Sequence, residues 1–362
     1  MSMTFGENIK MTVFGQSHSE EIGVIIEGIE KGTRIDTDFV KEYLSRRAPG
    51  KNAYSTPRKE ADEPIFEEGV ENLLATGEPI KVVIKNTNTR SSDYDNIKNL
   101  PRPGHADFTA YVKENGKNDV SGGGAFSGRM TAPLVIAGAI ASSILSQSGI
   151  EIGAHILKIK DVADSAFDSV NIAPDELKSI KKKAFPVIDD LKGEEMIETI
   201  LSAKERGDSV GGIIECAVVG LPAGVGSPMF DGLENVISKA VFAIPAVKGI
   251  EFGSGFEGSS LFGSENNDAF TVKDGKIKTE TNNHGGILGG ISSGMPLVFR
   301  LAVKPTPSIS VPQKSVNLKT LKEETLEING RHDPCIVPRA VPVAEAITAF
   351  CLLDIMKGEG RI

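Results

Sequence analysis

Tryptophan is absent from the 362 residues, and aromatic side chains make up only 6% of the chain. So sparse a set argues against the stacking platforms of single-stranded nucleic-acid binders. Cysteine is scarce too. Cys216, Cys335 and Cys351 are odd in number and unpatterned, so neither a disulfide framework nor a zinc site is expected, and a reducing cytoplasm is the expected compartment. No apolar run has the roughly 20 residues needed to span a bilayer. The longest, residues 132–145, reads as a buried helix rich in small side chains. The opening residues, Met-Ser-Met-Thr-Phe-Gly, show no basic segment followed by an apolar one, so no signal peptide is expected. Positive charge is also in deficit: the net charge is −9, which argues against a general nucleic-acid or membrane-surface role. Any phosphate site must be a local concentration of Arg and Lys in an acidic protein.

What is present is a globular composition, 40% hydrophobic and 25% charged, on a chain long enough to bury a sizeable core. Strands are expected at 23–28, 81–85, 155–159, 211–220 and 295–303, and helices at 36–45, 132–145, 174–183, 194–206, 233–242 and 343–356. The order does not alternate strictly, so an α+β layered fold is favoured over a doubly wound sheet. No linker or short repeat stands out, and residues 1–362 read as one unit.

Glycine, proline and ionisable residues concentrate in a few short segments. Gly330-Arg331-His332-Asp333-Pro334-Cys335 packs a cation, an imidazole, a carboxylate, a rigid ring and a thiol into six residues. Residues 285–294 are rich in paired glycines, which let backbone N–H groups approach a flat or anionic ligand, or serve a tight packing corner. Lys304-Pro305-Thr306-Pro307-Ser308 carries one cation and two hydroxyls on a stiffened segment, suited to a phosphate or a flavin tail. Gly253-Ser-Gly-Phe-Glu-Gly258 matches a dinucleotide fingerprint literally, but residues 259–267 make a poor helix, so a turn is expected instead. His18, His105 and His332 lie in turn-like polar contexts, where imidazole suits general acid–base work, whereas His155 in an apolar strand reads as structural. Arg46, Arg47, Arg58, Arg129, Arg331 and Arg339 recur inside these segments, as in a pocket that grips a multiply anionic substrate.

Together these motifs resemble the chorismate synthase family. The matching segments are Phe14-Gly-Gln-Ser-His18, Arg46-Arg-Ala-Pro-Gly50, Ser55-Thr-Pro-Arg-Lys-Glu60, Arg102-Pro-Gly-His-Ala-Asp107, Gly122-Gly-Gly124 with Arg129, Asp208-Ser-Val-Gly-Gly212 and Ala246-Val-Lys-Gly249. The 285–294 run, Lys304 to Ser308 and the 330–335 hexapeptide complete the set, in family order, from about residue 5 to residue 355. The resemblance implies a β-α-β sandwich with helices between antiparallel sheets, assembled as a homotetramer. It implies an anti-1,4-elimination of phosphate from 5-enolpyruvylshikimate 3-phosphate, giving chorismate. Reduced FMN would be required, with NADPH acting only indirectly, through a separate flavin reductase. It assigns catalysis to His18, His105 and Asp333. Flavin contacts fall to Ala125, Phe126, Ser127, Pro245, Ala246, Gly289, Lys304, Pro305, Thr306, Pro307, Ser308 and Arg331, and substrate contacts to Ser17, Arg47, Arg129 and Arg339.

The chain departs from the family pattern around the flavin. Ala125-Phe-Ser-Gly-Arg-Met-Thr131 stands where Arg-Ser-Ser-Ala-Arg-Glu-Thr is usual, and Ala48 and Ala53 replace basic residues. Gln16 and Ser19 replace a Glu and a Gly beside His18, and Pro245 replaces a common Asn. A second reading is therefore a family member that binds flavin or a phosphorylated ligand with little turnover.

Overall fold

Residues 3–50, 52–56, 62–86, 99–117, 123–328 and 332–362 are described by the structure, a computed structural model. Alternating apolar positions build the first sheet. In Glu21–Glu27 the side chains of Ile22, Val24 and Ile26 are buried, as period-2 patterning requires. This strand pairs antiparallel with Lys10–Gly15 on one side and Ile80–Lys85 on the other. Thr4–Phe5 and Ile65–Glu68 complete a five-stranded antiparallel sheet. A second five-stranded antiparallel sheet runs Val247–Phe252, Leu297–Val303, Gly212–Val219, Glu151–Ile159, Val162–Ala163.

The helices, in chain order, are α1 (Thr37–Arg47), α2 (Asp107–Lys113), α3 (Thr131–Gln147), α4 (Pro174–Lys181), α5 (Asp190–Glu205), α6 (Leu233–Val241), α7 (Gly263–Asn266) and α8 (Val337–Gly358). Asp36 caps α1 by accepting from the Phe39 N–H. Helices α3 and α8 pack along each other in the middle of the molecule; α3 lies on the first sheet and α8 on the second. A methyl group on Gly138 of α3 would collide with the Ala346 carbonyl of α8, so the close approach of the two helices requires glycine there. The architecture is the expected α+β arrangement, with helices sandwiched between antiparallel sheets.

Several boundaries differ from the sequence reading. Together with the 3₁₀ turn before it, α3 forms a helical run Gly128–Gln147 that is long and apolar enough to cross a membrane by length and composition, yet most of it is buried inside the protein. Helix α8 begins at Val337 rather than 343, carrying Pro338 in its first turn and Pro342 in its interior. Residues 285–294 form a small antiparallel hairpin, Ile287–Leu288 with Ile291–Ser292, turning at Gly289 and Gly290 with φ of 62° and 87°. Residues 253–258 form turns leading into a 3₁₀ helix, Glu257–Ser260, and not a strand-to-helix junction.

Candidate active site

One end of the helical layer opens onto a cleft of about 780 Å³, within the ~300–1,000 Å³ usual for ligand sites. Its walls come from segments distant in sequence: the end of α1, the turn before α2, the 3₁₀ turns Gly124–Phe126 and Gly128–Met130, the segment after α6, residues 304–308 and the start of α8. Phe126, Ile244, Pro245, Ala246, Ala340 and Val343 give it an apolar lining. Cations and the carboxylate of Asp333 ring it.

Arg47, Arg129 and Arg339 converge there. Arg47, at the C-terminus of α1, is 2% exposed; its Nε donates to Thr131 Oγ1 (3.1 Å), its Nη2 to the Gly128 carbonyl (2.9 Å) and its Nη1 to Asp62 Oδ2 (2.6 Å). With three nitrogens engaged by the protein, Arg47 acts chiefly as fixed charge. Burial, with Arg339 and Arg129 close by, brings its pKa down to about 10 in spite of Asp62, so it stays protonated at neutral pH. Arg129 is fixed through Nε to Asn86 Oδ1 (3.1 Å) and through Nη1 to Asp62 Oδ1. Burial pushes the Asp62 pKa upward, but the two arginines outweigh it and hold the carboxyl below its ordinary value. Arg339 donates through Nε to the Arg47 carbonyl (3.0 Å) and through Nη1 to Asp333 Oδ2. Asp333 Oδ1 also accepts the Thr56 N–H (2.8 Å), so the carboxylate is held from two sides.

His105 sits at the turn before α2, its Nδ1 2.5 Å from Asp107 Oδ1. Asp107 is gripped in turn by Arg102, whose Nε and Nη2 each lie 2.7 Å from its oxygens. Burial alone would raise the Asp107 pKa; Arg102 and His105 reverse that and hold it far below the carboxylate range. An ionised Asp107 accepting at Nδ1 sets the tautomer that leaves Nε2 for chemistry. Arg102 Nη1 reaches Ser308 Oγ (3.2 Å), which ties the His105 turn to the 304–308 segment.

Lys304, Thr306, Pro307 and Ser308 line the cleft together with Lys248. Lys304 donates to the Gly104 carbonyl (2.9 Å), and burial, aided by Lys248, lowers its pKa. Thr306 Oγ1 is buried and finds no hydrogen-bond partner among the described residues. A buried hydroxyl in a cleft that two lysines also line suits an anionic group of a ligand. Ala246 holds a left-handed φ of 73° while its carbonyl accepts the Lys304 N–H, a strain that concentrates at ligand clamps.

The expected site residues do not all gather. Ser17 and His18 lie behind the cleft wall, where the Ser17 N–H donates to the Gly124 carbonyl (3.3 Å) and Ser17 Oγ pairs with His18 Nδ1 (3.0 Å). Gly289 is at an exposed hairpin turn and Pro305 is exposed; neither lines the cleft. Arg331 and Arg58 lie outside the described residues. Sequence reasoning missed Asp62 as a partner of the arginines and Asp107 as the partner of His105. Asp107 had a local signal, a carboxylate two residues after an imidazole, whereas Asp62 had none.

Helices between two antiparallel sheets, opening onto a cleft of arginines, lysines, histidine and carboxylate, define an α+β enzyme acting on a small anionic molecule. The family model for chorismate synthase matches residues 9–356, and the chain belongs to the chorismate synthase family. A chorismate synthase of Dehalococcoides mccartyi is 46% identical, covering 100% of this chain and 98% of the relative. One of Thermococcus gammatolerans is 46% identical over 96% of each. A crystal structure of a chorismate synthase superimposes with a TM-score of 0.75 at 26% identity, covering 98% of this chain and 93% of that one. The activity is that of a carbon–oxygen lyase forming chorismate, in aromatic amino-acid biosynthesis, and membership implies a flavin cofactor.

Proposed function

We propose that the 780 Å³ cleft binds reduced FMN and 5-enolpyruvylshikimate 3-phosphate side by side and carries out the anti-1,4-elimination of phosphate. The observation that carries this reading is the meeting, in one cleft, of an arginine cluster, His105, Asp333 and the Lys304–Ser308 segment. Arg129 and Arg339, with the fixed charge of Arg47, neutralise the phosphate and carboxylates of the substrate. Lys304, Thr306 and Ser308 hold the flavin phosphate, and Ala125, Phe126, Ser127, Pro245, Ala246 and Pro307 bound the ring, with Arg331 completing the set. When bound, a reduced flavin supplies electron density that helps an unactivated C–O bond release phosphate, with no net redox change. With its Nδ1 proton donated to Asp107, His105 offers Nε2 to the ring system and would favour the anionic form of the reduced flavin. Asp333, restrained by Arg339 and the Thr56 N–H, would help the flavin nitrogen accept the hydrogen that leaves the substrate ring. His18 protonates the departing phosphate, for which its side chain has to come past the turn at residues 123–127.

The flavin is reduced elsewhere, by a separate NADPH-dependent reductase, and the protein works in the cytoplasm as one domain over residues 1–362. A homotetramer is supported by apolar surface: Phe270, Val272 and Ile277 are each at least 70% exposed on the hairpin Phe270–Lys273 with Lys276–Thr279. The test is an anaerobic assay with purified protein, photoreduced FMN and 5-enolpyruvylshikimate 3-phosphate. Stoichiometric release of phosphate and chorismate is expected. Absence of phosphate release overturns the proposal.

A further inference from the structure

Asp62 has a geometry that no surface loop needs. It is 3% exposed and adopts a left-handed φ of 50°, a conformation a β-carbon disfavours. Its two oxygens are divided between two cations, Oδ2 on Arg47 Nη1 and Oδ1 on Arg129 Nη1. Arg47 comes from the end of α1 and Arg129 from the Gly128–Met130 turn, and Arg339 lies against the Arg47 carbonyl. Three guanidiniums on one wall repel one another. Asp62 is therefore the counter-charge that allows two of them to sit together, buried, before any anion arrives. It does not itself line the cleft.

We infer that Asp62 is a positioning residue for substrate: by bridging Arg47 and Arg129 it fixes the spacing and orientation of the anion-gripping guanidiniums, without touching the reacting molecule. The inference rests on the proposed assignment of the cleft to substrate and flavin. Arg47 keeps its bonds to Thr131 and Gly128 when Asp62 is lost. Arg129 keeps Asn86 on its Nε, but its Nη1 loses the carboxylate that ties it to Arg47, so the spacing between the two guanidiniums is what changes. A misplacement of about 1 Å in a binding group costs on the order of 100-fold in rate.

The experiment compares Asp62→Asn, which keeps shape and removes charge, with Asp62→Gly, which suits the left-handed backbone and leaves room for a small carboxylate. In both, kcat/KM for 5-enolpyruvylshikimate 3-phosphate should fall by about 100-fold or more. The Kd of oxidised FMN should stay within about twofold, because Asp62 shares no partner with Lys304, Thr306 or Ser308 among the described residues. Added formate should restore turnover in Asp62→Gly in a concentration-dependent way and leave Asp62→Asn unaffected. Wild-type kinetics in either variant would overturn the inference. So would parallel losses of flavin affinity and turnover, or a folded Asp62→Gly protein that ignores formate. If Asp62→Asn does not fold, the formate response of Asp62→Gly decides alone. Failure of the wild-type protein to turn over would instead remove the underlying assignment of the cleft.

Discussion

His105 owes its place to two neighbours. Asp107 holds its Nδ1 at 2.5 Å, and Arg102 clamps Asp107 from the other side. A proton-transfer group positioned this way contributes roughly 100- to 10,000-fold. Replacement His105→Ala should therefore lower kcat by about 100-fold or more, as should Asp333→Asn, measured with photoreduced FMN in excess. Cys335 gives the contrast. Burial pushes its thiol up to about 12, so no thiolate is available near neutral pH. Cys335→Ala should leave turnover intact, and native protein should resist alkylation at that thiol; labelling at Cys335 before unfolding would contradict this.

Among the elements, α8 organises the most. Its Glu345 is fully buried and accepts from both terminal nitrogens of Arg46 (2.6 and 2.9 Å) and from the Ala154 N–H (3.0 Å). One carboxylate thus joins α1, α8 and the strand Glu151–Ile159. Removing it leaves the partly buried Arg46 and the buried Ala154 N–H without their acceptor, which should cost about 3 kcal/mol, the low end for breaking a buried pair. Urea unfolding of Glu345→Ala should show a loss of that size, while Glu345→Gln, which keeps the acceptor oxygen, should lose less. The start of α8 escaped the sequence reading because Pro338 and Pro342 look like breakers. Pro338 falls where the first-turn N–H groups lack partners anyway. Pro342 is tolerated because burial on both sides of the helical layer outweighs one missing backbone bond.

For the molecule as a whole, acid–base stability turns on His155, which bridges Asp164 (3.2 Å) and Glu215 (3.1 Å) on the second sheet. Burial favours neutral imidazole, but the two carboxylates prevail and raise its pKa above 6.5. A raised histidine gives its full stabilisation below the unfolded value and loses it as pH climbs through the folded one. Asp164 and Glu215 are lowered, after burial is outweighed by His155 and backbone N–H groups, so their share is lost as pH falls below the carboxylate range. His155→Gln should cost more stability at about pH 6 than at about pH 9 in parallel denaturant titrations. A gap that widens with pH would reject the assignment.

The sequence by itself determined the α+β class, the main strands and helices, and the family, because period-2 and helical patterning are local and because motifs such as 102–107, 304–308 and 330–335 are short and contiguous. It also marked His105, Arg129, Lys304, Asp333 and Arg339, whose surroundings of Gly and Pro advertise a turn held for a ligand. Tertiary structure decided the rest. Asp62 meets Arg129 across 67 residues, and Thr56 meets Asp333 across 277; no local pattern encodes such pairings. Likewise, the glycine run around Gly289 was legible as backbone freedom, but only packing decided that the freedom serves a hairpin turn outside the cleft. Chemistry was readable where a segment carries its own partner, as His105 and Asp107 do. It was hidden where burial brings the partner from another element.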